Sequence, residues 1–182
     1  MQVSNPSRQI KEAPMDLPPV EPIKVNIPAI VQRAQPTTLR DYYQEQKTLD
    51  TVAACLVLEA GGEGTTGMQA INEVLNNRAR YFYGNNALSS KAKVATAPKQ
   101  FSCFNNGVDT AIAAAKKHPK WQEAVSIVKN VPTNYTNGAR FYYANKGRNA
   151  IRPPKWTKEF LRRGAKTVQI GNHLFYYGFK GI

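Results

Sequence analysis

The residues best suited to chemistry lie in one short stretch. Val52, Cys55, Leu56 and Glu59 are spaced i, i+3, i+4 and i+7, so a helix through them carries all four on one face. Three of these side chains belong in a core, and the fourth is a carboxyl where the helix ends. An ionised carboxylate is expensive to bury, and a carboxyl that keeps its proton at working pH is what a general acid needs. In glycoside cleavage that acid protonates the leaving glycosidic oxygen. A plainer reading stands beside it: Glu59 turns to solvent or pairs with an arginine.

Other chemistries find less support. A zinc peptidase needs about three good ligands, and the chain offers only His118 and His173. A metal-free endopeptidase would use Ser102 or Cys103, yet no base is paired with either in the sequence. No metal and no cofactor is expected. Cys55 and Cys103 do not make a disulfide framework, and the sequence leaves open whether they pair. Two aromatic runs, Phe141-Tyr142-Tyr143 and Phe175-Tyr176-Tyr177, alternate faces if extended, so one set packs and the other can line a groove. Tyrosine offers a flat apolar face to a sugar ring and a hydroxyl to hydrogen-bond it; core packing is the plainer account of each ring.

These side chains need elements to position them. Thr48 and Asp50 offer capping oxygens for a helix running to about Glu59, ended by Gly61, Gly62 and Gly64. Thr66 opens a second helix, with Met68, Ile71, Leu75, Ala79 and Phe82 at helical spacing and a break at Tyr83-Gly84. A loop rich in Ser, Lys and Ala reaches about Lys99, and residues 100–104 form a short strand or packed loop. Asp109 caps an Ala-rich helix through Lys117, and another helix follows Pro119. Phe141–Tyr143 is extended, a short helix spans about 158–163, and residues 168–177 form a hairpin around Gly171-Asn172.

Over the whole chain the bias is in charge sign. Lys and Arg number 25 against 12 Asp and Glu, for a net charge of +13. After Glu123 the only acid is Glu159, while eleven Lys or Arg follow. Such a field draws in polyanions, whether nucleic acid, anionic lipid or anionic wall polymer. Residues 1–40 hold seven of the twelve prolines and read as an extended arm: a disordered leader, or a peptide whose spaced aliphatics dock on a partner. Neither a signal peptide nor a membrane-length apolar run is visible.

Several blocks resemble one family. Leu58-Glu59-Ala60-Gly61-Gly62-Glu63-Gly64, then Gly67, Gln69 and Ala70, then Val74-Leu75-Asn76-Asn77-Arg78 are similar to the cell-wall hydrolases of the spore cortex-lytic type. Gln100-Phe101-Ser102-Cys103, Gly138–Tyr142, Pro154-Lys155-Trp156 and Ile170–Tyr176 match its later blocks in order. Two departures are Gly62, where the family's motif has Arg, and the extra Asn in Asn76-Asn77-Arg78. The resemblance implies an α+β, mainly α chain: a lysozyme-like domain over 41–182 with a small β-hairpin, preceded by the Pro-rich arm over 1–40. It implies peptidoglycan as substrate, Glu59 as the catalytic acid, and Glu63 as a second acid or as an orienting residue beside the glycine turn. Gln100, Ser102, Tyr142, Tyr143, Asn172 and Tyr176 become substrate contacts, and His173 orients a neighbour.

With few other carboxylates in matched blocks, a lytic transglycosylase using one Glu is the expected mechanism. A muramidase or wall endopeptidase is the alternative, and a basic virion or nucleic-acid-binding protein, using the C-terminal third, is the non-enzymatic one. A phage lysin bound through residues 1–40 to tail or capsid proteins, acting from the virion or released to the periplasm and wall, would account for the absent signal and the arm together.

Overall fold

In a computed structural model, residues 38–130 and 133–178 are described. The expected arm therefore lies outside the described residues, except for its last three positions. Eight helices and turns and three strands follow in order: α1 (Leu39–Ala60), a 3₁₀ turn (Gly61–Glu63), α2 (Gly64–Tyr83), α3 (Leu88–Thr96), a second 3₁₀ turn (Ser102–Phe104), α4 (Val108–Lys116), α5 (Trp121–Lys129), β1 (Phe141–Ala144), α6 (Lys155–Arg162), β2 (Lys166–Ile170) and β3 (His173–Tyr177). The described chain is mainly helical with a small antiparallel sheet, as the sequence leads one to expect.

Helix α1 is the axis of the helical part, and α2, α3, α4 and α5 all pack on it. Its second half is buried from Leu49 to Val57, with Val52, Cys55 and Leu56 fully enclosed. Truncating one such leucine to alanine costs about 2–5 kcal/mol. The helix begins at Leu39, about ten residues before the expected start. The Thr38 hydroxyl caps it by accepting from the Asp41 amide at 3.1 Å. Thr48 and Asp50 are therefore interior residues. Asp50 is buried and held by Lys116 of α4 at 2.6 Å and by Gln46 at 2.8 Å.

Two further elements differ from expectation. The Ser/Lys/Ala stretch is helical (α3), because Leu88, Val94 and Ala95 pack on the core, and Asn85 Oδ1 anchors the first turn by accepting from Ala87 N and Ser90 Oγ. Asp109 lies inside α4, with Gly107 at the cap, and pairs with Lys47 of α1 at 2.8 Å. Residues 102–104 form the 3₁₀ turn.

The sheet has the order β1-β3-β2 and is antiparallel throughout, with Tyr142 opposite Phe175 and Tyr143 opposite Leu174. Alternation divides its side chains. Phe175, Tyr142, Val168 and Ile170 join the helical core. Tyr143, Tyr176, Phe141 and Leu174 face the other way and pack with Trp156 and Phe160 of α6. The sheet is therefore covered on both faces. A buried carboxylate, Glu73 of α2, fixes the approach to β1: it accepts from the amides of Tyr135 and Thr136 at 2.7 Å each and from the hydroxyls of Thr133 and Thr136.

Candidate active site

A cleft of about 840 Å³ lies where the end of α1, the 99–106 segment, β1, the loop after β1 and the hairpin turn meet. Glu59 stands on its wall in the last turn of α1, carried there by the same helical face that buries Cys55 and Leu56. It is partly buried, and the Tyr142 hydroxyl donates to Glu59 Oε2 at 3.1 Å. Burial, with the Glu59 charge second, pushes the Tyr142 hydroxyl well above its ordinary range, so it stays a donor. The Tyr142 ring is itself stacked on Phe175, 5.3 Å between centroids, and meets His173 edge-on.

Glu63 has a different environment. Its side chain is 9% exposed, with Oε1 2.8 Å from His173 Nδ1. Because a carboxylate oxygen accepts, this contact places a proton on Nδ1 and fixes the ring. Oε2 accepts from the Asn172 backbone amide at 3.0 Å. Gly171, at φ +54, passes so close that a Cβ there would fall on the Glu63 carboxylate. Gly67 is equally confined, since its Cβ would come within 2.6 Å of Glu63 Cβ. Glu63 is thus clasped between the start of α2 and the β2–β3 turn.

Arg78 forms part of the cleft floor. Its Nε donates to the Arg140 carbonyl at 2.6 Å and its Nη1 to Gln100 Oε1 at 3.0 Å. Its guanidinium lies over Phe101 and Phe141 at 5.3 and 5.8 Å. Burial lowers its pKa, opposed chiefly by Tyr142, Cys55 and Glu59. The arginine thus sets Gln100 in place and supplies a fixed positive charge near Glu59. Cys55 and Cys103 are both free thiols. Cys103 lines the cleft while Cys55 lies in the core beneath it, and burial followed by the hydrogen bond to Cys103 pushes the Cys55 thiol up.

Of the residues singled out from the sequence, Glu59, Glu63, Gln100, Ser102, Tyr142, Tyr143, Asn172 and His173 all line this cleft. Tyr176 does not. It is 3% exposed on the opposite face of the sheet, against Tyr143 and Trp156, because its register with Phe141 turns it toward α6. Arg78, Trp156, Lys99, Lys146 and Arg148 line the cleft without having been singled out. Arg78 and Trp156 lay within the matched blocks; the three rim cations carried no pattern that could have marked them. Among the described residues no cluster of His, Cys, Asp or Glu could hold a metal, and no helix is long and apolar enough to cross a membrane.

Against known proteins, the family described as Cell Wall Hydrolase matches residues 62–176. That span contains Glu63, Arg78, Tyr142 and His173, and it begins three residues after Glu59. Curated proteins and solved structures give no match.

Proposed function

Because this chain belongs to the cell wall hydrolase family and so degrades peptidoglycan, we propose that it cleaves the glycan strand as a lytic transglycosylase with Glu59 as its one acid and base. The observation that carries this reading is the difference between the two cleft carboxylates. Glu63 has both oxygens engaged by His173 and Asn172, whereas Glu59 accepts a single hydrogen bond from Tyr142. A hydrolase ordinarily needs a second carboxylate as nucleophile or base. Glu63 is committed to holding the hairpin turn, and among the described residues no other Asp or Glu lines the cleft.

In this mechanism protonated Glu59 gives its proton to the glycosidic oxygen as the bond from C1 of N-acetylmuramic acid breaks. The resulting carboxylate takes the proton from the C6 hydroxyl as O6 bonds to C1. The product is a 1,6-anhydro sugar, and Glu59 ends protonated. Tyr142 holds the Glu59 carboxyl, Arg78 offsets negative charge on it, and Gln100, Ser102 and Asn172 provide polar contacts for the N-acetyl groups.

The test is mass spectrometry of fragments released from purified peptidoglycan by the native chain and by Glu59→Gln. Anhydro-muropeptides from the native chain alone are expected. Reducing-end products lost in the variant would instead establish a muramidase, and unchanged activity in the variant would remove Glu59 from the reaction. We further propose that residues 1–37 dock on a phage tail or capsid protein and that the enzyme reaches the wall from the virion. Deleting them, with Thr38 kept as the cap of α1, should spare cleavage and abolish incorporation into particles; loss of cleavage in the folded truncation would count against this.

A further inference from the structure

Three cations on the cleft stand apart from the charges already accounted for. Lys99, Lys146 and Arg148 line it, and all three are exposed. Among the described residues none of their side chains has an ion pair or hydrogen bond, unlike Lys47, Lys116, Lys120 and Arg162, each matched with an acid. The carboxylates of the cleft cannot neutralise them: Glu63 is committed to His173 and Asn172, and Glu59 must carry the transferred proton.

The segments that present these cations are fixed. Lys99 takes a left-handed backbone, φ +63, immediately before Gln100, which Arg78 holds. The Lys146 amide donates to the Asn172 carbonyl at 3.3 Å, next to the Asn145 amide at 2.9 Å. Gly147, at φ +73, lies so close to the Asn172 side chain that a Cβ would come within 2.8 Å of it. The loop bearing Lys146 and Arg148 thus rests on the same turn that Glu63 clasps. Uncompensated like charges held near one another repel, and a bound anion relieves that repulsion.

Resting on the glycan-cleaving reading, we infer that Lys99, Lys146 and Arg148 form a carboxylate-recognition rim, which selects glycan whose muramic acid units carry negative charge over neutral glycan. Two sources offer that chemistry: carboxylates along the stem peptide, and the lactyl carboxylate exposed when the peptide is removed. Neutral N-acetylglucosamine polymer offers neither.

The rim is tested by binding, with a full-length Glu59→Gln chain that does not turn the ligand over. Three soluble glycan preparations are compared by calorimetry at low salt: peptide-bearing, stripped by an amidase to the free lactyl group, and peptide-bearing with every carboxylate blocked as a methylamide. One or both anionic preparations should bind about tenfold more tightly than the blocked one, and which of them does so identifies the carboxylate. Adding Lys99→Gln, Lys146→Gln and Arg148→Gln should remove that preference while leaving affinity for the blocked glycan unchanged. Equal binding of all three, no binding of any, or a triple variant that weakens charged and blocked glycan alike would overturn the inference. Product analysis with native Glu59 judges the reaction separately, so the two can fail independently.

Discussion

A single hydrogen bond separates the two tyrosines of β1. Tyr142 donates to Glu59, whereas Tyr143 packs on Trp156 and Tyr176 on the other side of the sheet. Tyr142→Phe keeps the ring stack on Phe175 and removes only the hydroxyl. The bond to a charged partner is worth about 1.5–3 kcal/mol. If it orients the carboxyl in the transition state, kcat should fall about tenfold or more with KM nearly unchanged. Steady-state turnover on solubilised glycan reads this; an equal loss in KM with kcat intact would make Tyr142 a substrate contact instead. The place of Glu59 beside three core residues was legible from spacing, because one helical face is a local pattern, but spacing left open whether it served as an acid or turned to solvent. The roles of Glu63 and Tyr176 were not. Glu63 is defined by partners 109 residues away in the chain. Alternation along β3 predicted two faces for its aromatic residues, but the burial of Tyr176 depends on Trp156 of α6 packing against it.

Among the elements, α2 has the greatest polar burden in its buried surface. Asn72, Glu73, Asn76 and Arg78 are all buried along it. Both oxygens of Glu73 accept hydrogen bonds and Arg78 donates from Nε and Nη1, whereas neither amide atom of Asn76 has a hydrogen-bond partner among the described residues. An unsatisfied buried polar group costs about 1–3 kcal/mol. Asn76→Leu, which keeps the branched shape without the polar atoms, should therefore raise stability by about 1–2 kcal/mol in urea denaturation; a loss of similar size would show that the amide has a favourable role. Asn76 belongs to the block that departs from the family's motif, so the doubled Asn places one amide at Asn77, which donates to the Ala139 carbonyl at 3.0 Å, and strands the other. At this scale the sequence was legible where apolar residues recur, as in α2 and the hairpin. It was misleading at α1, whose first two turns are exposed, so that Leu39, Tyr42 and Tyr43 mark no buried face, and at α3, where small residues hide a buried stripe.

For the whole molecule, pH is the test that reads packing directly. The Cys55 thiol is held above its ordinary value of 9.0, first by burial and then by its hydrogen bond to Cys103. The folded chain keeps this proton where the unfolded chain has begun to lose it. The stabilisation is therefore complete below about pH 9 and is lost as pH rises through the folded value, with a slope approaching 1.4 kcal/mol per pH unit. Urea midpoints of the native chain should fall between pH 8 and 10, and Cys55→Ala, though less stable throughout, should show a shallower fall. Parallel curves would mean that the thiol ionises alike in both states.

The clasp on Glu63 has a consequence for synthesis. Its partners, Asn172 and His173, follow it by 109 residues and more, so Glu59 and Glu63 leave the ribosome well before them. A nascent chain, or one cut short by a premature stop before the hairpin, has its acid in hand but no frame to hold the cleft. Assembly of the cleft thus waits on the synthesis of the hairpin, long after both of its acids have been made.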